Sequence, residues 1–213
     1  MNSNIFKGIL FLAIILFILL FLLSGDKINF WHFLSVNNVI LCSLVFFFDR
    51  KYLSSIKEDV SDNIIQKILI GTGSAVVLYV IFYIGNFLSP YIIPGAGEQI
   101  STIYDFKRDQ SHLMIILLVV FITGPGEEIF WRGFVQRHFY GYFQKNGLIL
   151  GYVLATAIYG AVHVTSFNIM LVLAALVCGG FWGLLYLWKK SIIINIISHT
   201  VWVLLAFIFF PFM

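Results

Sequence analysis

Five ionisable side chains lie in stretches of this sequence that are otherwise apolar enough to cross a bilayer. Glu127, Glu128 and Arg132 fall within "TGPGEEIFWRGF", residues 123–134, and His163 and His199 follow in two later apolar runs. Charge at membrane depth is costly, and such residues usually mark a place where something is bound or moved. A glutamate and two oriented histidines converging on one water form a hydrolytic arrangement. The carboxylate serves as general base, and the histidines hold either a metal or the developing oxyanion.

Helical phase divides the two acids. Glu128 and Arg132 are i, i+4 with the acid N-terminal, the favourable order for an intrahelical ion pair. Glu127 points about 100° away on the helical wheel and has no such partner. Arg132 is therefore expected to offset Glu128 and fix its rotamer, leaving Glu127 free to hold a water. "GPG" just before the pair predicts a softened or broken helix, because Pro125 removes a backbone donor. Such a break is tolerated in a bilayer where protein covers it or it lines a wet cavity. Tyr159 precedes His163 by one turn and Asn195 precedes His199 by one turn, so each histidine has a same-face neighbour able to orient its ring.

The elements that must position these groups are transmembrane helices. The chain has 213 residues, 61% hydrophobic and 11% charged, far from the roughly half apolar and quarter charged of a soluble domain. Runs of about 20 apolar residues predict seven spans: Ile5–Leu23, Phe30–Phe48, Ile64–Leu88, His112–Tyr140, Gly147–Phe167, Ile169–Trp188 and Ile192–Phe210. The first reads as a retained helix, since "SGDK" offers no small-x-small cleavage site. Lys7, Arg50, Lys51, Lys57, Lys67, Arg137, Lys145, Lys189 and Lys190 gather on one side, against Lys27, Lys107 and Arg108 on the other. That bias predicts a cytoplasmic N-terminus. The segment 89–111, rich in Pro and Gly, is expected to be a long external loop. Gly147/Gly151 and Gly179/Gly183 have the spacing that permits close helix packing. Cys42 and Cys178 read as small buried hydrophobes. A net charge of +3 without a basic aromatic-laced cluster gives no sign of nucleic acid.

With a turn at residues 141–147, the rise of 1.5 Å per residue puts Glu127 about 21 Å up its helix and His163 about 24 Å up the next. His199 comes to about 14 Å from its own turn, a gap that tilt or the helix break must close.

These residues resemble a known family. "EEIFWRG" is similar to the EExxxR motif of the CAAX-processing and bacteriocin-immunity (Abi, or CPBP) intramembrane proteases, which include the type II CAAX prenyl endopeptidases. "YGAVH" resembles the second motif, FxxxH, with Tyr159 in place of Phe. "SIIINIISHTVWV" resembles the third, HxxxN or HxxxD, through His199. The resemblance implies an all-helical integral membrane fold of about seven transmembrane helices. Residues 112–213 would form the catalytic core, and residues 1–111 the N-terminal helices and external loop without a motif. It implies peptide-bond hydrolysis within the bilayer, with Glu127 activating water, Glu128 and Arg132 as its supporting pair, and His163 and His199 completing the site. Tyr159 and Asn195 would support. The cofactor is either a divalent metal such as zinc, held by His163 and His199, or none, with glutamate and histidine acting alone. Implied partners are membrane lipid and a peptide or protein substrate, with or without a lipid group. Separately from the resemblance, the compact chain without a targeting extension suits a bacterial plasma membrane.

The position matching the third motif's Asn or Asp is Val203, which can neither bind metal nor donate a hydrogen bond. Asn195 would take over that role, or the protein is a catalytically silent relative acting as an immunity factor or membrane scaffold. Other intramembrane hydrolases fit less well: the sequence has no HExxH zinc helix, no GxSG serine site and no paired YD and GxGD aspartates. A transporter would bring repeats and paired broken helices. Here only one break carries adjacent charges.

Overall fold

Apolar runs separated by caps and turns give this chain its helices. The computed structural model describes residues 3–24, 28–108, 110–143 and 146–212. Lys27 and Lys145, both used in the charge comparison, lie outside the described residues, as does most of "SGDK". Among the described residues seven helices are long and apolar enough to cross a membrane. They are α1 (Ser3–Leu23), α2 (Phe30–Phe48), α4 (Ile64–Ile92), α6 (His112–Tyr142), α7 (Gly147–Val162), α8 (Ile169–Lys189) and α9 (Ile192–Phe209). The protein is an all-α integral membrane protein.

Side-chain caps set several boundaries. Asn29, Asp49, Asn63, Asn168 and Ser191 each accept from a backbone N–H in the first turn of the helix that follows, satisfying donors a helix start leaves open. Lys190, in the left-handed region at φ 52°, turns α8 into α9.

Two elements stand where the sequence predicted connections. Residues 50–61 form the amphipathic helix α3 (Arg50–Ser61), too polar to span. Within the expected external loop, residues 89–92 continue α4 through Pro90, and α5 (Ala96–Tyr104) and a 3₁₀ turn at Asp105–Lys107 follow. Apolar periodicity over so few residues is too short a signal to set against Pro94 and Gly95.

One apolar core runs through the bundle, from Phe6, Phe17 and Leu41 to Trp131, Trp182 and Ala206. Close helix packing at the glycine pairs is borne out. A Cβ on Gly151 would lie 2.5 Å from the Tyr140 ring, and one on Gly183 would lie 2.8 Å from the Tyr152 ring. Around Pro125, α6 widens but does not break: π-helical turns at Val119–Thr123 and Ile129–Gln136 flank an α-helical Gly124–Glu128. A widened turn absorbs the missing proline donor while the axis continues.

Candidate active site

α6 directs its two acids to different neighbours. Glu128 faces α9 and is fully buried. Its Oε1 accepts from Arg132 Nη1 at 2.8 Å and lies 2.8 Å from His199 Nδ1, while its Oε2 accepts from Asn195 Nδ2 at 3.2 Å. Glu127, the preceding residue, faces α7, where the Tyr159 hydroxyl donates to its Oε2 at 2.9 Å. The divergence of about 100° expected from helical phase thus becomes a difference of partners.

Arg132 joins the two halves. Its guanidinium stands 4.9 Å from the centre of the Tyr159 ring and 5.4 Å from that of Trp182, and it donates to the Cys178 carbonyl. Cation–π contact and a carboxylate together solvate a charge that lipid cannot.

Both histidines are held through Nδ1. His163 Nδ1 lies 2.7 Å from the Tyr159 carbonyl, which can only accept, so Nδ1 carries the hydrogen and Nε2 keeps its lone pair. His199 Nδ1 points at the Glu128 carboxylate and its ring stacks on Trp182 at 3.9 Å. The spacing is right about Tyr159 and His163, although the contact is through the backbone, and differs for His199. Tyr159 orients His163 through its backbone, and Asn195 holds Glu128 and the Trp182 carbonyl while Glu128 orients His199.

All seven residues singled out in the sequence, Glu127, Glu128, Arg132, Tyr159, His163, Asn195 and His199, meet in one linked cluster. The 2.8 Å contact between His199 and Glu128 closes the depth gap. Sequence reasoning missed Trp182, which stacks on His199 and donates from Nε1 to Ser198 at 3.1 Å. It also missed α2, whose Cys42 thiol lies 3.6 Å from the Gly126 carbonyl and whose Asn38 packs against Gly126. The adjacent Asn37 and Asn38, both buried in a spanning helix, were the available signal.

Tyr159, His163 and His199 form the polar end of a cavity of about 440 Å³. Asn86, Ser89 and Tyr104 also line it, and the rest of its wall is mostly apolar. Leu88 and Ile92 of α4 and Leu173 and Val177 of α8 line it and are exposed on the side of the bundle. The cavity therefore reaches the lipid-facing surface between α4 and α8.

The profile of the type II CAAX prenyl endopeptidase Rce1-like family matches residues 109–205. That match covers a little under half of the chain and supports the resemblance to the CAAX-type proteases. No curated protein and no solved structure matches it. The family segment starts just before α6 and ends in α9, so it holds every residue of the cluster, and α1–α5 lie outside it. Val203 also falls inside it and is buried among apolar side chains. At the level of the family, the match supports a CAAX-type intramembrane protease.

For zinc, the residues present do not complete a donor set. Catalytic zinc takes three protein ligands, and among the described residues no three of His, Cys, Asp and Glu stand where they could share an ion. His163 and His199 offer two Nε2 atoms, one short of that set.

Proposed function

We propose that this protein is an intramembrane endopeptidase that cleaves membrane-associated peptide substrates with a water activated by Glu127. The observation carrying this reading is the unequal partnering of the two glutamates. Glu128 is bonded by Arg132, His199 and Asn195, whereas Glu127 has, among the described residues, the single side-chain donor Tyr159. A fully bonded carboxylate cannot take a proton without losing its partners, and a carboxylate with a free oxygen can.

The steps follow from these roles. A water donates to the free oxygen of Glu127 and attacks the scissile carbonyl carbon. Its proton passes to Glu127 as the carbon–oxygen bond forms. His199, its Nδ1 held by the Glu128 carboxylate, turns Nε2 towards the developing oxyanion as a hydrogen-bond donor. His163, neutral against a carbonyl, accepts from the water at Nε2. Collapse of the tetrahedral intermediate breaks the carbon–nitrogen bond, and Glu127 returns its proton to the leaving amine. We place the basic end, with Arg50, Lys51, Lys57, Lys189 and Lys190, at the cytoplasmic face.

Val203 supports a second reading, a silent member that acts by binding. Comparing peptide termini in membranes of cells making the wild type or Glu127→Gln at equal level separates the two. Termini dependent on Glu127 are expected, and identical termini would leave the silent member.

A further inference from the structure

The motif this chain resembles has phenylalanine where Tyr159 stands, so the hydroxyl on Glu127 is a feature of this chain's own sequence. Its surroundings suggest a task. Tyr159 is the side chain that donates to Glu127, at 2.9 Å onto Oε2. It also lines the apolar cavity, together with His163 and His199, whereas neither glutamate contributes to that lining. The ring is fixed on three sides. Arg132 stands over it at 4.9 Å, Trp131 meets it edge-on at 5.3 Å, and His163 meets it edge-on at 4.9 Å. A phenol so packed has little freedom to swing its oxygen away from Glu127.

Resting on the hydrolase reading above, we propose that Tyr159 is a positioning residue that holds Glu127 Oε2 and thereby leaves Oε1 as the oxygen that meets the attacking water. A carboxylate with both oxygens free in a narrow site can rotate about its last torsion and share a water between two geometries. One strong donor removes that choice. The Tyr159 carbonyl meanwhile orients His163, so one residue sets the direction of two groups that face the same water. Tyr159 reaches the substrate's side of the cavity with its ring, but its effect on the reaction runs through Glu127.

Tyr159→Phe keeps the ring and its packing and removes only the donor. A lost hydrogen bond to a charged group predicts a fall in kcat of about tenfold or somewhat more, with KM unchanged because the cavity wall is intact. The assay uses purified protein in bicelles with an internally quenched farnesylated Cys-aliphatic-aliphatic-X peptide as probe. A second measurement needs no turnover. The infrared carboxyl band identified by its loss in Glu127→Gln should shift in Tyr159→Phe, as the carboxylate loses its donor. A selective fall in kcat together with a shifted band supports the proposal. An unmoved band overturns it, as does an unchanged kcat in an active enzyme, or a KM that changes as much as kcat. A wild type that cleaves nothing under any condition defeats the hydrolase reading instead, and the infrared band then decides alone whether Tyr159 holds Glu127.

Discussion

Two carboxylates one residue apart in α6 are treated in opposite ways by the helices around them. On the α9 side, Glu128 is surrounded by an arginine, a histidine and an amide, and Trp182 and Ser198 brace that group from behind. On the α7 side, Glu127 accepts from one phenol, and the ring of that phenol lines the cavity beside His163 and His199. On the proposed function, stability and chemistry are thus separated by about 100° of helix. Burying a charge requires partners for it, and a partnered charge makes a poor base. The chain meets both demands by using two glutamates, one as the anchor of the helix bundle and one kept sparsely bonded.

Substitutions on the two sides should therefore fail differently. The largest effect is expected from Arg132→Met, which leaves Glu128 buried without its main counter-charge. Breaking a buried pair from one side costs about 3–5 kcal/mol, so thermal unfolding in detergent should show a large loss of stability. An arginine variant as stable as the wild type would break the comparison. Next, Glu127→Gln should lower turnover by about 10²–10⁴-fold while the unfolding temperature stays near that of the wild type, because Gln still accepts from Tyr159. Asn195→Ala should fall between the two sides. It strips a donor from Glu128 and from the Trp182 carbonyl, costing about 1–3 kcal/mol, and should reduce turnover only through a loosened His199. Equal kcat in an equally stable Asn195→Ala protein would remove Asn195 from the account. The smallest effect is expected from Val203→Asn. That position is buried among apolar side chains, so an amide there should cost about 1–2 kcal/mol without raising turnover. A gain in activity would instead mean that valine had silenced the site.

The spanning helices were legible because each needs only a long apolar run, and the paired roles of Glu128 and Arg132 were legible because i, i+4 spacing is local. Helical phase also foretold that Glu127 and Glu128 would part. The family resemblance brought His163 and His199 to the same place, which spacing alone only permitted. What remained hidden depends on contacts between distant positions. Nothing local links Trp182 to His199, or Cys42 and Asn38 on α2 to the Gly126 turn. Of the same-face neighbours one turn away, Tyr159 does orient His163, through its carbonyl, whereas His199 is oriented by a carboxylate from another helix. Pro125 and its glycines predict a softened or broken helix, but a missing donor does not reveal that neighbouring turns absorb it by widening α6. α3 and α5 escaped notice because short polar or Pro-flanked helices owe their form to packing. α5 is held by such packing: Asn168 donates to the Gln99 carbonyl at 2.7 Å, and the Tyr104 hydroxyl donates to the Ala206 carbonyl at 2.9 Å.

The most direct test of this division of labour sets Glu127→Gln beside Glu128→Gln, each purified in bicelles and assayed on the same peptide, with turnover and unfolding temperature read from one preparation. Glu127→Gln is expected to lose turnover and keep its unfolding temperature. Glu128→Gln is expected to unfold at a distinctly lower temperature, because an amide donor replaces an acceptor among three donors. A Glu127→Gln protein that still turns over the peptide at the wild-type rate would contradict the assignment of Glu127 as the base.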